Sequence, residues 1–212
     1  MVRIVCVSDT HGTHDRVALP PGDIFVFAGD LTARGTLPEV EAFDRWLGTL
    51  NARYRHKVVI AGNHDFAFQE QPAAARARLT NALYLEDESA EILGIKIHGS
   101  PWQPWFGGWA FNLRRGPEIA AAWAKIPADT GLLVTHGPPE GVLDRNSRGD
   151  PCGCRDLLDR VLEIRPQLHV FGHIHEAAGR LDTGGTAFVN ASVPYGEGAV
   201  QVFEWDDSPA GG

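Results

Sequence analysis

Apolar runs that end in polar side chains recur along the chain. The stretch "VCVSDTHG" passes from a strand-like run into Asp9 and His11, and "HVFGHIHE" passes into His173 and His175. β-Branched and apolar density bounded by Gly, Pro or Asp indicates β-strands. Strands are therefore predicted at residues 2–7, 23–28, 57–61, 131–135, 168–172, 186–190 and 199–204.

Stretches with helical spacing of apolar residues lie between several of these strands. Helices are predicted on this basis at residues 38–50, 72–80, 117–125 and 154–164. Pro38 suits a first helical turn. The last helix must end near Arg165, because the residue before a proline disfavours helical backbone. Strands that alternate with helices predict an α/β fold.

The polar residues that follow the strands carry metal-ligand and acid–base groups. In open α/β sheets ligands bind beyond the carboxyl ends of the strands, so these groups are expected to converge on one edge. Residues i and i+2 of extended backbone point the same way, which lets Asp9 and His11 face one ion. The candidate ligands are Asp9, His11, Asp30, Asn63, His136, His173 and His175. This N/O set is too large for one tetrahedral ion and suits two ions that share a carboxylate.

Composition and charge narrow the class of protein. Of the 212 residues, 43% are hydrophobic and 22% are charged, as expected of a soluble globular protein. The formal net charge of −8 disfavours binding of duplex nucleic acid. Small phosphate substrates stay open, because bound cations can reverse the local field. One domain is expected over residues 1–207, followed by a flexible tail at 208–212.

The N-terminus and the cysteines favour a cytoplasmic protein. The first residues lack the apolar region of a signal peptide, and no apolar stretch is long enough to cross a bilayer. Cys6 falls inside a predicted strand, while Cys152 and Cys154 are too close in sequence for an ordinary disulfide. All of these cysteines are expected to be reduced and structural.

Taken together, the polar blocks resemble the calcineurin-like metallophosphoesterase superfamily. Its pattern is D-x-H, G-D, G-N-H-[DE], H and G-H-x-H, and the chain carries "DTH", "GD", "GNHD", "THG" and "GHIH" in that order. The stretches "GSPWQPWFGGWAFNLRRG" and "THGPPEG" are similar to a group of small metallophosphoesterase-domain proteins with mammalian brain members. The resemblance implies a four-layer α/β/β/α sandwich with the metal site at the carboxyl ends of the strands.

The resemblance also implies how the ligands divide between two divalent ions. One ion is implied to bind Asp9, His11, Asp30 and His175. The other is implied to bind Asn63, His136, His173 and the same Asp30, which therefore bridges. Mammalian members of the closer group carry Gly at the first His of the last block, whereas this chain keeps His173, so two complete sites are expected. Mn²⁺ is the expected metal, with Fe or Zn²⁺ as alternatives for an N/O set without thiolate.

Two residues beside the ligands are expected to assist catalysis. The resemblance implies attack on phosphorus by a hydroxide that bridges the two ions. His64 matches the family's non-ligand histidine, which protonates the leaving oxygen or stabilises its charge. Asp65 is expected to hydrogen-bond the far ring nitrogen of His64 and to keep the ring oriented. The histidines that match no block are expected to be surface or packing residues, namely His14, His56, His98 and His169.

Three further residues are candidates for substrate contact. Arg34 follows Asp30 by four residues, and Arg148 lies in the polar loop at 144–151; the alternative for each is a solvated surface charge. Trp105 belongs to the Trp-rich stretch 101–111, where one ring could stack on a base. The alternative for the rings of that stretch is packing on the sandwich or a dimer contact.

The function predicted from these residues is a two-metal phosphodiesterase acting on small phosphodiesters. Cyclic nucleotides, 2′,3′ or 3′,5′, are the expected substrates, because class III cyclic nucleotide phosphodiesterases share the five blocks. Phosphomonoesterase, nucleotidase or nuclease activity stays open. A non-catalytic interaction scaffold is the other alternative, and the intact ligand set with His64 disfavours it. The expected partners are a nucleotide-like substrate and, in a homo-oligomer, a second copy of the chain, without membrane contact.

Overall fold

The computed structural model describes residues 1–206, and the expected tail at 208–212 lies outside the described residues. Within residues 1–206 the strands are Val2–Val7 (β1), Ile24–Ala28 (β2), His56–Ile60 (β3), Leu83–Tyr84 (β4), Glu88–Ile92 (β5), Ile95–Ser100 (β6), Gln103–Pro104 (β7), Asn112–Leu113 (β8), Leu132–Thr135 (β9), Leu168–Phe171 (β10), Gly179–Thr183 (β11), Thr186–Asn190 (β12) and Gln201–Trp205 (β13). The α-helices of the same part are Leu37–Thr49 (α1), Phe66–Glu70 (α2), Pro72–Arg78 (α3), Pro117–Trp123 (α4) and Arg155–Ile164 (α5). None of the helices described is long and apolar enough to cross a membrane.

Most of the strands form two mixed sheets. The first has the order β13-β1-β2-β3-β4, in which β13 is antiparallel to β1 and the other strands run parallel. The second has the order β11-β12-β10-β9-β6-β5, with parallel pairing from β12 to β6 and antiparallel strands at both edges. The central parallel strands of each sheet therefore share one direction, which brings their carboxyl ends to the same edge.

A buried apolar layer lies between the sheets, and two more lie outside them. The inner layer combines both sheets, among others through Ile4, Val26, Ile60, Ile97, Leu132 and Val170. The layer outside the first sheet includes Phe27 and Val59 with the helix residues Phe43 and Phe68. The layer outside the second sheet includes Leu133 and Phe188 with Trp123 and Leu157. This is the expected α/β/β/α sandwich.

The ends of two helices follow from their sequences. At the start of α1, Thr36 Oγ1 accepts from the Glu39 amide while the Glu39 carboxylate accepts from the Thr36 amide, a reciprocal cap. At the end of α5, Arg165 takes left-handed backbone at φ 48° directly before Pro166, so the helix stops where it was predicted to stop.

The strands that the sequence prediction missed are short or partly polar. The hairpin of β5 and β6 was not predicted, because the prediction relied on continuous apolar density, whereas in β6 Ile95 and Ile97 alternate with Lys96 and His98, a pattern typical of a half-buried strand. In the structure Ile95 and Ile97 face the inner apolar layer, and His98 is buried. His169 is also buried, and its Nε2 lies 2.8 Å from Thr135 Oγ1. These two histidines are packing residues.

Candidate metal centre and its surroundings

The polar blocks lie in the loops that follow the carboxyl ends of parallel strands. Asp9 follows β1, Asp30 follows β2, Asn63 and His64 follow β3, His136 follows β9, and His173 and His175 follow β10. Backbone hydrogen bonds tie these loops together within each sheet: the Asp9 amide donates to the Gly29 carbonyl at 3.0 Å, and the Gly172 amide donates to the His136 carbonyl at 2.8 Å. The Ser8 amide after β1 donates to the Ala191 carbonyl after β12 at 2.9 Å and so joins the two sheets. Side chains from both sheets therefore meet at one edge of the sandwich.

Several of these residues adopt backbone conformations that non-glycine residues rarely take. Asp9, His11, Asp30 and His173 have φ values of 59°, 47°, 56° and 70°. Such strained positions cluster at functional sites and persist only where the surrounding structure holds them. Here the His11 amide donates to the Asp30 carbonyl at 3.0 Å, and the His173 amide donates to the Asp9 carboxylate. These backbone conformations direct the four side chains into one cluster.

Two glycines make room for the carboxylates of the cluster. A Cβ at Gly62 would come into contact with Asp30 Oδ1, and a Cβ at Gly172 would come into contact with Asp9 Oδ2, both far inside van der Waals distance. Only glycine permits so close an approach of the backbone. The glycines in "GNHD" and "GHIH" are thus required by the packing of the acidic residues.

The Asp30 carboxylate lies between two sets of histidine nitrogens. Its Oδ1 is 3.5 Å from His136 Nε2, and its Oδ2 is 3.9 Å from His11 Nε2. The His64 amide donates to Oδ1 at 2.8 Å and so fixes the plane of the carboxylate. One oxygen therefore faces each half of the cluster, which is the placement that a bridging ligand requires.

On the Oδ1 side, contacts at both ring nitrogens fix the orientation of His136. Its Nδ1–H donates to the Ala28 carbonyl at 2.9 Å, while Nε2 faces Asn63 Oδ1 at 2.8 Å. Burial lowers the pKa of His136, but the Asp30 carboxylate outweighs it and raises the pKa to about 9. The oxygens around Nε2 thus favour positive charge at this point, whether a proton or a metal ion supplies it.

On the Oδ2 side, two imidazoles face each other beside Asp9. The Nε2 atoms of His11 and His175 are 3.2 Å apart, and His175 Nε2 is 3.4 Å from Asp9 Oδ1. Burial opposes ionisation of Asp9, yet the hydrogen bond with His175 and the charge of His136 hold its pKa well below the usual range. Ser192 Oγ also donates to Asp9 Oδ2 at 2.8 Å. Ring nitrogens that converge on a carboxylate in this way fit a divalent cation.

Among the described residues, three groups place one ligand atom each within 4.8 Å of one another. These groups are Asp9–His11–His175, His11–Asp30–His64 and Asp9–Asp30–His136. His173 belongs to none of them; its ring lies 5.0 Å from that of His136. Burial lowers the pKa of His173 to about 4, so its imidazole is neutral at pH 7 and needs no deprotonation to bind a cation. The donor set fits two divalent cations on either side of Asp30.

The expected hydrogen bond between Asp65 and His64 is absent, and that prediction was wrong. The Asp65 carboxylate accepts instead from the amides of Gly62, Leu31 and Thr32 and from the Thr32 hydroxyl. It therefore braces the loops that carry Asp30 and Asn63. Burial and the nearby Asp30 raise the pKa of Asp65 to about 6. His64 Nδ1 lies 2.9 Å from the Ala33 carbonyl, which takes the orienting role given to Asp65.

A cavity of about 500 Å³ opens beside His173 and His175. His173 and His175 form one wall, and Trp105 and Arg148 line it as well. Trp105 is 63% exposed, and the Arg148 side chain is 81% exposed and paired with Asp150 at 3.1 Å. Both predicted contacts therefore border the cluster on its solvent side.

Two basic residues near the site behave differently from the prediction. Arg34 is exposed and does not line the cavity, although it follows Ala33, whose carbonyl meets His64. Arg115, which sequence reasoning missed, lines the cavity and donates to the Gly153 and Cys152 carbonyls at 2.7 and 3.1 Å. The "LRRG" stretch held no signal for this role, since it depends on a loop far along the chain.

Comparison with known proteins agrees with this geometry. The family model described as calcineurin-like phosphoesterase matches residues 2–177. The chain is 43% identical over 216 residues to human metallophosphoesterase domain-containing protein 1, covering 90% of this chain and 66% of that protein. It is 41% identical over 220 residues to UPF0046 protein T07D4.2 of Caenorhabditis elegans, covering 89% of this chain and 55% of that protein. The chain thus spans about two thirds or less of the length of these relatives.

Solved structures show the same fold at low identity. TT1561 of Thermus thermophilus superposes with a TM-score of 0.68 at 14% identity, covering 95% of this chain and 98% of that one. Another crystal structure superposes with a TM-score of 0.72 at 15% identity, covering 96% of this chain and 99% of that one. The fold, the ordered blocks and the family match lead to one conclusion: the chain belongs to the calcineurin-like phosphoesterase family.

Proposed function

We propose that this chain is a two-metal phosphodiesterase that hydrolyses small phosphodiesters, with cyclic nucleotides as the substrate class. The observation that carries the proposal is the Asp30 carboxylate, which turns one oxygen to His136 and the other to His11. When bound, two divalent cations supply an activated water and neutralise charge on the phosphoryl oxygens. Mn²⁺ is the proposed metal, with Fe or Zn²⁺ as alternatives for the same N/O donors.

His64 is proposed to protonate the leaving oxygen. Its Nδ1 faces the Ala33 carbonyl, so a ring protonated at both nitrogens keeps that bond and carries a transferable proton on Nε2. The ring also lies against that of His11, with centroids 4.5 Å apart, which places it at the edge of the ligand cluster. Asp65 contributes indirectly, since it holds the loops that carry Asp30 and His64.

The cavity next to the cluster supports a nucleotide as the substrate. Its volume of about 500 Å³ suits a ligand of that size. Trp105 and Phe106 offer exposed rings for base stacking, a contact worth about 1–3 kcal/mol per base. Arg115 and Arg148 supply positive charge for phosphate or for a base edge. The net charge of −8 disfavours a polynucleotide substrate.

Steady-state rates of the Mn²⁺-loaded protein on a substrate panel test this proposal. The panel comprises 2′,3′- and 3′,5′-cyclic nucleotides, a linear aryl diester, a nucleoside monophosphate and a single-stranded oligonucleotide. We expect the highest kcat/KM for a cyclic nucleotide, and no activity after metal removal. The Arg148→Ala variant is expected to raise KM for cyclic nucleotides more than for the small aryl diester. Preference for the monoester or the oligonucleotide would contradict the proposed substrate class, and inactivity on the whole panel would favour the scaffold.

A further inference from the structure

Within the Trp-rich stretch, Trp109 contacts His64, and the proposed function does not use this contact. The indole of Trp109 lies against the imidazole of His64, with ring centroids 4.3 Å apart and an interplanar angle of 32°. The His64 imidazole also lies edge-on to the His11 ring, with ring centroids 4.5 Å apart, and its Nδ1 lies 2.9 Å from the Ala33 carbonyl oxygen. The His64 ring is thus confined by the face of the Trp109 indole, by the His11 ring and by the hydrogen bond to Ala33.

The loop that carries Trp109 is built to hold the indole in place. The side-chain Nδ2 of Asn112 donates to the Phe106 carbonyl at 3.1 Å and to the Trp109 carbonyl at 3.0 Å, which closes the loop. The Ala110 amide donates to the Asn63 carbonyl at 3.1 Å and joins this loop to the one that bears His64. The backbone beside Trp109 is therefore fixed relative to the loop that bears His64.

Aromatic neighbours complete the support on the solvent side. Phe66 and Phe106 lie 6.2 and 6.4 Å from Trp109, at interplanar angles of 33° and 31°. Trp109 is still 38% exposed, so its burial contributes less to stability than that of a core tryptophan. Phe106 also lines the cavity and lies 5.2 Å from His173. One short loop therefore connects the cavity wall to the catalytic imidazole.

We propose that Trp109 is a positioning residue for His64. Together with the hydrogen bond to the Ala33 carbonyl, the indole limits rotation of the imidazole and keeps Nε2 directed at the leaving oxygen, so the two contacts share the task expected of Asp65. This inference rests on the proposed role of His64 as the proton donor. Small misplacement of a catalytic group lowers the rate of the chemical step more than it affects substrate binding. Loss of the indole face is therefore a kcat effect that requires His64.

A double-mutant cycle with two aryl phosphodiesters tests the proposal. Trp109→Leu is expected to lower kcat about 10-fold for a phenyl ester and less than about 3-fold for a 4-nitrophenyl ester, because a good leaving group needs little protonation. KM should stay within about 2-fold. In the His64→Ala background Trp109→Leu should cause no further loss. Trp109→Phe should recover most of the rate, and Leu162→Ala, which removes an exposed apolar side chain from α5, should match the parent.

Some outcomes would overturn the proposal. Equal losses from Trp109→Leu with and without His64 would show that the indole does not act through the imidazole. A rise in KM alone would make Trp109 a substrate-stacking residue. Equal losses of kcat for both esters would show that the indole does not assist proton donation.

A readout that does not use activity separates this inference from the proposed function. In the ¹H NMR spectrum of protein free of paramagnetic metal, the indole face over His64 should shift the carbon-bound ring protons of His64 upfield. Trp109→Leu should move these resonances downfield. The His64→Ala spectrum assigns the signal. An unmoved resonance overturns the contact itself. If the resonance moves but the parent hydrolyses no phosphodiester, the proposed function fails and the positioning role fails with it.

Discussion

The two sides of the Asp30 carboxylate differ in how closely the protein encloses them. On the Oδ1 side, His136 is 0% exposed and Asn63 is buried, and the Ala28 carbonyl fixes the orientation of the His136 ring. On the Oδ2 side, His11 faces His175, whose side chain is 31% exposed and borders the cavity. His173, which is implied for the Oδ1 side, also borders this cavity, so the two sides differ in their deeper residues. The Oδ1 side is called the enclosed side below, and the Oδ2 side is called the open side.

This difference has a chemical consequence. On the enclosed side a proton on His136 compensates the buried carboxylates in the absence of a cation, since Asp30 raises its pKa to about 9. A cation that binds there must displace that proton, because metal ligands bind in their deprotonated form. On the open side His64 and Trp109 adjoin the cluster, so the variants below divide into those that alter metal binding and those that alter proton delivery.

Loss of the Asp30 carboxylate should impair metal binding on both sides of the cluster. Asp30→Ala removes the oxygens that face both His136 and His11. We expect activity below about one thousandth of the parent and loss of at least one ion per chain. Elemental analysis of parent and variant measures the metal. Equal metal content would refute the bridging role, provided that circular dichroism shows the variant folded.

A change on the open side should affect chemistry and leave the metals bound. His64→Ala is expected to keep both ions and to lower kcat by about 10²–10⁴-fold for poor leaving groups. The loss should shrink for 4-nitrophenyl esters, as measured by steady-state kinetics over a series of aryl diesters. The same loss for every leaving group would count against proton donation. Loss of metal would instead make His64 a ligand, as its grouping with His11 and Asp30 permits.

Replacement of His173 should weaken the enclosed side alone. His173→Gly removes the imidazole that lies 5.0 Å from His136, and it leaves Asp9, His11 and His175 intact. We expect affinity for the second ion to fall by at least about 10-fold, with kcat reduced far more than KM is raised. High Mn²⁺ should restore part of the rate by mass action. Metal titration followed by activity measures both, and two ions bound as tightly as in the parent would contradict the assignment.

The smallest expected effect concerns the metal-free protein and pH. The pKa of His136 is raised on folding, so its contribution to stability is complete below its unfolded pKa of about 6.5 and is lost as pH rises towards 9. Tm of the metal-free protein should therefore fall over this range, by about 2–4 °C for each kcal/mol lost. The metal-loaded protein should lack the decline, and Asp30→Asn should flatten it. A level Tm for the metal-free parent would contradict the charge balance assigned to the enclosed side.

The parts of the fold and site that were predictable from sequence are those that local pattern determines. Strand ends followed by Asp, Asn and His marked the edge where the cluster forms, and α5 ended at Arg165 as expected. The hairpin of β5 and β6 was missed, because apolar density was the criterion for a strand and the alternation of isoleucines with polar residues in β6 was not used. The observed ends of the predicted strands differ from the predicted ends by at most two residues, which is the usual uncertainty in assigning the ends of an element.

The partners of individual side chains were less predictable. Asp65 follows His64 in sequence, yet its carboxylate binds the Gly62 amide of its own loop and the Leu31 and Thr32 amides of the loop after β2. Only the fold brings the latter two amides to Asp65. Trp109 lies 45 residues from His64 and meets it through the Ala110–Asn63 hydrogen bond. Such contacts depend on how loops cross, which spacing along the chain does not encode.

The central claim is that Asp30 joins two cation sites, and anomalous diffraction tests it most directly. Crystals of the Mn²⁺-loaded protein should show two anomalous peaks about 3.5–4 Å apart, one on each side of the Asp30 carboxylate. The first should lie among Asp9, His11 and His175, and the second should lie beside His136 and Asn63. A single peak at saturating Mn²⁺, or two peaks that do not share Asp30, would contradict the account.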